Sequence, residues 1–261
     1  MIYKNIYFCI VDVESCEKVK RILYFLYQWV VFVPLFLLLT LITALLVMAM
    51  APLFGSRFWG FYPPKWWSRF TCWLALCRIK TRGHEHLDPK RSYIFVANHQ
   101  GAYDIFLVYG FLNQNIKWMQ KASLRKIPFV GYASEKAGHV FVDNTSLAAR
   151  SASVQRAKDQ IVDGVSMVIF PEGARTHTGK MKHFKRGAYH IAFDLKLPIV
   201  PLTINGSYDV LKRNTLRQNP SKMELIIHKP ISTEGMKESD IPRLIDQSRQ
   251  IIQDALWEKY K

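Results

Sequence analysis

The chain has 261 residues, 49% of them hydrophobic and 21% charged, a balance that suits one catalytic domain plus an anchor and excludes an intrinsically disordered chain. Lys and Arg number 36 against 20 Asp and Glu, a formal net charge of +16, which points to anionic partners, either nucleic acid or an anionic membrane. The four cysteines, Cys9, Cys16, Cys72 and Cys77, match no zinc or redox spacing and read as reduced, apolar residues of a cytosol-facing protein.

Residues 1–21 form an N-terminal tail carrying Lys18, Lys20 and Arg21. From Ile22 through Ser56 there is no charged residue, whereas a membrane span needs only about 20 apolar positions. The run is too long and starts too late for a signal peptide. Two forms fit it: a single tilted span near Trp29 to Ala51, or a hairpin bent near Pro34 or in mid-run. No acidic residue stands between Glu17 and Glu85, while Arg57, Lys65, Arg69, Arg78, Lys80 and Arg82 follow the run. Positive charge on both flanks favours the hairpin. The heavier cluster, after the run, places the C-terminal domain on the cytoplasmic side of the inner membrane. Between Phe58 and Leu76, Trp59, Trp66, Trp67, Phe70 and Trp73 alternate with cations. Such a mixture suits the headgroup layer. It could equally stack on nucleic acid, but its place beside the apolar run assigns it to lipid. Residues 22–80 are thus a membrane anchor and interfacial helical region, with anionic lipids rather than nucleic acid as the partner.

Residues 81–261 alternate in character. Strands are predicted at Tyr93–Ala97, Val140–Val142, Met167–Phe170, Ile199–Ile204 and Met223–Ile227. Helices are predicted at Asp104–Leu112, at Leu147–Val162 with Asn144 or Thr145 as N-cap, at Gly187–Leu195, and over an amphipathic stretch from Ile241 to Trp257. This is an α/β pattern: a mostly parallel sheet flanked by helices, joined to an N-terminal membrane-embedded helical segment. His84-Glu85-His86 reads as alternating residues on an edge strand and not as a metal site; no metal is expected.

Two strands deliver chemistry from their C-terminal ends, where ligands bind in α/β folds. Ile94 to Ala97 runs into Asn98-His99-Gln100-Gly101-Ala102-Tyr103-Asp104. On one regular helix His99 and Asp104 would diverge by about 140°, so they meet only if His99 lies in the turn and Asp104 in the first helical turn. Gly101 would ease that turn. The carboxylate could then fix the imidazole tautomer and leave the other nitrogen free to act as a base. No GxSxG stretch or domain cysteine supplies a nucleophile, so the substrate must bring its own hydroxyl, which implies direct transfer without a covalent intermediate.

The second strand ends in Phe170-Pro171-Glu172-Gly173-Ala174-Arg175. Arg175 offers a planar fork suited to phosphate, and Gly173 allows close backbone approach. The plain alternative is a Glu172–Arg175 ion pair within the loop. The stretch Gly173 to Lys180 only resembles a nucleotide-binding loop: five residues separate Gly173 from Gly179, and Met181 stands where Ser or Thr would hold magnesium. His177, His183 and His190, with Lys180, Lys182, Lys185 and Arg186, read as a solvated or membrane-facing surface, or as a dock for an acidic carrier protein.

Together these motifs resemble the glycerolipid acyltransferase family, and within it the 1-acylglycerol-3-phosphate (lysophosphatidic acid) acyltransferases. The first family motif stands as Asn98, His99 and Asp104. The second shows as Lys121, Pro128 and Gly131, followed by Gly138-His139-Val140-Phe141-Val142-Asp143. The third is Phe170 to Arg175, and the fourth is Leu197-Pro198-Ile199-Val200-Pro201-Leu202. Asn144 stands where the family often has Arg, so that phosphate contact is either missing or supplied by Lys121, Lys136 or Arg175, and Ala174 replaces Thr or Ser. Both departures bear on acceptor recognition.

The resemblance implies an acyltransferase moving an acyl chain from acyl-CoA or acyl carrier protein to the sn-2 hydroxyl of a lysophospholipid, with no cofactor. It makes His99 and Asp104 catalytic, and Lys121, Glu172, Gly173 and Arg175 substrate-binding. Rival readings are a family member acting on glycerol 3-phosphate, another lysophospholipid or an aminolipid, and a non-catalytic basic protein of membrane surfaces or nucleic acid.

Overall fold

Seven strands share one sheet in the computed structural model, which describes residues 18–143 and 145–261. In chain order they are β1 (Arg78–Arg82), β2 (Ile94–Ala97), β3 (Ile116–Lys121), β4 (Val140–Val142), β5 (Ser166–Ile169), β6 (Ile199–Asn205) and β7 (Lys222–Ile227). The spatial order is β1-β7-β6-β2-β5-β3-β4, and only β6 and β7 pair antiparallel. The sheet is therefore mostly parallel, as the alternating pattern predicted. Strands β2, β5 and β6 are buried at every residue, which is why they read as unbroken apolar runs. Phe95 of β2 lies beside Val168 of β5 and Val200 of β6. The chain thus leaves adjacent central strands at His99 and Phe170, on one edge.

The helices are α1 (Lys18–Phe54), α2 (Ser56–Trp59), α3 (Tyr62–Leu74), α4 (Tyr103–Phe111), α5 (Val130–Lys136), α6 (Leu147–Gln160), α7 (Gly187–Asp194), α8 (Ser207–Val210) and α9 (Ile241–Asp254). Side chains alternate across a strand, so β2 serves two cores. Phe95 and Ala97 face a cluster with Phe32, Phe61, Cys72 and Leu107 from α1, α3 and α4 and their flanks. Ile94 and Val96 face Ala157, Tyr189, Ile191, Leu244 and Ile252 from α6, α7 and α9.

The apolar run forms one continuous helix rather than a hairpin within itself. It passes through Pro34 without a break, just after a π-helical turn at Gln28–Phe32. Pro34 sits at the start of the following α-segment, where its missing N–H costs least. The chain reverses only at Gly55, whose φ is +94°, and α3 returns beside α1. Trp67 Nε1 of α3 donates to Thr40 Oγ1 at 3.0 Å, and Phe36 packs edge-on against Phe106 of α4. One side of α1 is thereby buried through Phe32, Ala44, Val47 and Ala51, while Leu37, Leu38, Ile42, Leu45 and Leu53 stay exposed. Gln28 accepts from the Gln218 N–H at 3.0 Å and donates to the Leu216 carbonyl at 2.6 Å.

Two local readings change, and a third holds where it can be seen. His84–His86 is a 3-10 turn rather than an edge strand; Gly83 before it, at φ +90°, and the His86 ring against the Ile227 carbonyl at 2.9 Å fold it back on β7. The N-cap of α6 is Ser146, whose Oγ accepts from the Ala149 N–H at 3.1 Å; Thr145 instead donates its N–H to Asp143, and Asn144 lies outside the described residues. Cys72 and Cys77 are free thiols; Cys9 and Cys16 also fall outside the described residues.

Asn98 extends the β2–β6 ladder by one rung with its side chain. It donates to the Ile204 carbonyl at 2.9 Å and accepts from the Ile204 N–H at 2.8 Å. Asn98→Ala leaves both buried backbone groups unpaired and should destabilise the protein by on the order of 3 kcal/mol. Denaturant unfolding of the full chain in detergent measures this; a loss below about 1 kcal/mol would show that the rung is dispensable.

Candidate active site

The turn after β2 and the first turn of α4 bring His99 and Asp104 together. His99 Nδ1 lies 2.7 Å from Asp104 Oδ2; the carboxylate is fully buried and the imidazole side chain 15% exposed. The same Oδ2 accepts from the Gly101 N–H at 3.0 Å. Oδ1 accepts from the Ser207 hydroxyl at the start of α8. Three donors therefore hold the carboxylate in one orientation. His99 Nε2 has no hydrogen bond among the described residues.

Gly101 serves through its size rather than its φ. A Cβ there would stand 2.9 Å from the Ser207 carbonyl, so only glycine lets the β2 turn approach α8 closely enough for Asp104 to reach Ser207.

The loop after β5 supports His99 from below. The Phe170 ring stacks on the imidazole at 3.9 Å and 9°, and Trp118 of β3 stacks behind Phe170 at 5.5 Å. Glu172 Oε1 accepts from the His99 N–H at 2.7 Å, and Oε2 from the Lys182 N–H at 3.0 Å. Burial pushes the Glu172 carboxyl above its ordinary range, against the opposing pull of those two donors. With both oxygens so occupied, no Glu172–Arg175 ion pair forms among the described residues. The Arg175 carbonyl instead accepts from Lys182 Nζ at 3.1 Å and from the Arg213 guanidinium at 2.8 Å. Its own guanidinium makes no hydrogen bond among the described residues.

Gly173 has φ +75°, and a Cβ there would meet Lys185 Nζ at 2.8 Å, so a lysine side chain occupies the space beside it. Lys121 is exposed at the end of β3, on the same sheet edge, and makes no hydrogen bond to the other site residues. The N–H groups of Gly101 and Gly173 are already used, by Asp104 and by the Phe170 carbonyl at 3.0 Å, so neither is free to bind an oxyanion.

Beside this edge lies an apolar cavity of about 230 Å³. Its walls are Thr40, Ala44 and Val47 of α1, Trp67 of α3, Ile105 and Tyr109 of α4, Trp118 of β3 and Ala133 of α5. Ile105 follows Asp104 directly, and Trp118 is two stacked rings from His99. The Phe170 ring thus stands between the imidazole and the Trp118 wall of the cavity.

A family model described as Acyltransferase matches residues 78–205. The domain belongs to the acyltransferase family. It is similar to 1-acyl-sn-glycerol-3-phosphate acyltransferase alpha of Ovis aries, at 32% identity over 66% of this chain and 60% of that protein. The 1-acyl-sn-glycerol-3-phosphate acyltransferase of Saccharomyces cerevisiae matches at 30% identity over 69% of this chain and 60% of that protein. The chain thus spans about 60% of the length of these curated relatives. The crystal structure of the 1-acyl-sn-glycerophosphate (LPA) acyltransferase of Thermotoga maritima superposes with a TM-score of 0.74 at 25% identity, covering 92% of this chain and 99% of that one.

Ser207 and Lys182 escaped the sequence reading of this acyltransferase domain. Ser207 follows the Asn205-Gly206 turn, and nothing local marks a serine there as an Asp104 partner. Lys182 acts through its N–H, which has no side-chain signal at all.

Below the cavity, Lys117 is buried at 2% exposure and donates to the Ser56 carbonyl at 2.9 Å and the Ala137 carbonyl at 2.6 Å. Burial lowers its ammonium from 10.5 to about 8. The neighbouring His139 is pushed down to about 3 by burial, with the Lys117 charge adding to it, so it is neutral at physiological pH. Between pH 8 and 10.5 the unfolded chain binds the Lys117 proton that the folded chain has released. Stability relative to Lys117→Met should therefore rise across that window and stay flat below it. Paired unfolding titrations from pH 7 to 10 test this; a falling or flat difference would contradict a desolvated lysine.

Proposed function

We propose that this protein is a 1-acylglycerol-3-phosphate O-acyltransferase. It transfers a fatty acyl chain from an acyl thioester, acyl-CoA or acyl carrier protein, to the sn-2 hydroxyl and yields phosphatidic acid. The carrying observation is a buried, triply bonded Asp104 that orients a partly exposed His99, one aromatic ring away from the wall of an apolar cavity, with no Ser or Cys nucleophile hydrogen-bonded to the imidazole among the described residues. The names of the relatives supply the substrate class.

Asp104 fixes the proton on Nδ1, so Nε2 is the base. Nε2 takes the proton from the acceptor hydroxyl as its oxygen attacks the thioester carbonyl. Asp104 steadies the imidazolium that forms. The tetrahedral adduct then collapses, the carbon–sulfur bond breaks, and the thiolate leaves with the proton from Nε2. No covalent acyl-enzyme is needed. The acyl chain has an apolar wall to lie against in the cavity. Arg175, with Lys121 on the same edge, is the clamp for the acceptor phosphate. Glu172 supports this reading from beneath: its two backbone contacts place His99 and the Lys182 segment relative to each other, and Gly173 gives that segment its tight turn.

The anchor reading follows from packing. Helix α1 lies along the domain from Gln28 to Ala51, so a crossing of the bilayer would drag the domain into lipid with it. We read α1 and α3 as lying in one leaflet with their exposed apolar faces toward acyl chains, the domain above them on the cytoplasmic face, and the basic flanks against anionic headgroups. Acceptor and product reach the site from that leaflet.

The test is transfer from an acyl thioester to lysophosphatidate by the purified protein, with glycerol 3-phosphate and other lysophospholipids as rival acceptors. His99→Ala should lower turnover by about 10²–10⁴-fold while membrane binding persists, and Asp104→Asn should come close to it. Most activity surviving in His99→Ala would remove the base from the mechanism.

Arg175→Lys keeps the charge and loses the fork. It should raise the acceptor KM about tenfold or more and leave the donor KM nearly unchanged. Separate titrations of lysophosphatidate and thioester decide this; a rise confined to the donor KM would move Arg175 to the thioester side.

A further inference from the structure

The segment from Leu124 to Tyr132, which runs from the loop after β3 into the first turn of α5, exposes four large apolar side chains. Leu124 is 37% exposed, Ile127 43%, Phe129 54% and Tyr132 53%. Single exposed hydrophobics are ordinary, but a contiguous group of this kind marks an interaction surface. The backbone holds the group outward. Phe129 has φ +59° and ψ −49°, a conformation that bulky residues rarely adopt. The turn that imposes it is tight: the Gly131 N–H donates to the Ile127 carbonyl at 2.9 Å, and a Cβ on Gly131 would stand 2.2 Å from the Arg125 carbonyl. An aromatic ring is thus kept in solvent by a strained turn that glycine would relax.

What covers this surface is indicated by its neighbours. Ala133 and Ala137 of α5 pack against Ala44, Val47 and Ala51 of α1, so the loop borders the helix whose other side is exposed Leu, Ile and Phe. Lys121 and Lys126 are exposed at its base, where phosphate groups would stand if the tip entered acyl chains. On its inner side, Leu124 and Val130 line the apolar cavity together with Ala44 and Val47.

We propose that residues 122–132 are a second membrane-contacting element: Ile127, Phe129 and Tyr132 enter the acyl layer of an anionic bilayer, and the cavity opens to lipid between this loop and α1. The consequence for catalysis rests on the acyltransferase reading. The membrane contact itself does not. The loop and α1 together tilt the domain so that its catalytic edge faces the leaflet, and a chain can pass sideways into the cavity without crossing water.

The experiment places the photoreactive phenylalanine analogue p-benzoylphenylalanine at position 127 or 129 of the full chain. The protein is reconstituted in vesicles of phosphatidylcholine and phosphatidylglycerol with labelled acyl chains. Illumination should give lipid adducts at both positions and none above background at Lys237, which is exposed beside Met236 of the core under α6, α7 and α9, away from α1. Yields at 127 and 129 no higher than at 237, or adducts to added acyl carrier protein in place of lipid, would overturn the proposal. Phe129→Gly removes the ring and relaxes the turn, so folding is retained. It should slow acylation of vesicle-embedded lysophosphatidate by on the order of tenfold while leaving the rate with a short-chain, water-soluble lysophosphatidate unchanged. Equal slowing of both would make the loop a shaper of the site rather than a lipid contact. If wild-type protein acylates neither substrate, the functional reading fails and the adducts still decide the membrane contact.

Discussion

One buried carboxylate joins the three pieces of chain that make this site. Asp104 stands on α4, His99 and Gly101 belong to the turn after β2, and Ser207 opens α8 after β6. An ionised group without water is tolerated only when several donors meet it, so these contacts constrain one another. If the β2 turn moves, the carboxylate loses two donors; if the β6 turn moves, it loses the third. The neighbouring rung from Asn98 to Ile204 pins the same two turns one step earlier. The geometry of the His99–Asp104 pair is thereby set by the spacing of two adjacent parallel strands, which the buried core around Phe95 and Val200 makes stiff.

A second layer of support comes from the other neighbour of β2. Glu172 and Phe170 follow β5 and hold the His99 backbone and ring respectively. The histidine is therefore clamped from both sides of its strand, by an acid on its side chain and by another on its N–H. Arg175 is positioned through its backbone by Lys182 and Arg213, which leaves its guanidinium unspent. The two carboxylates thus differ in kind: Asp104 meets the imidazole ring, whereas Glu172 organises the loop that presents the cations.

Much of this was readable in the chain because the decisive signals are local. The apolar runs of β2, β5 and β6 end abruptly in polar residues, and strands buried on both faces cannot look otherwise. The spacing of His99 and Asp104 demanded a turn and then a helix, and that is what forms. What escaped was written in tertiary terms. Strand β1, Arg-Ile-Lys-Thr-Arg, lies at the sheet edge with its cations in solvent, so its hydrophobic content is too low to announce it. Strand β3 hides Lys117, whose ammonium is satisfied by carbonyls from distant segments. Helix α5 is short and contains Gly131. Three alternating residues at His84 to His86 were too few to separate an edge strand from a turn. The partnership of Ser207 with Asp104 joins residues 103 positions apart, and no local pattern encodes it.

Helix α1 contributes Phe32 to the same core that holds Phe95 and Val200, and Phe61 and Leu74 join it from the segment that follows. The attachment device is consequently not an accessory tethered by a linker. Cleavage between α1 and the domain would not release a stable domain; it would open the hydrophobic centre, cut the Gln28 contacts that brace residues 216 and 218, and leave a fragment prone to aggregate. On the membrane reading proposed above, anchor and domain are one cooperative unit, so the two would be removed from lipid only together.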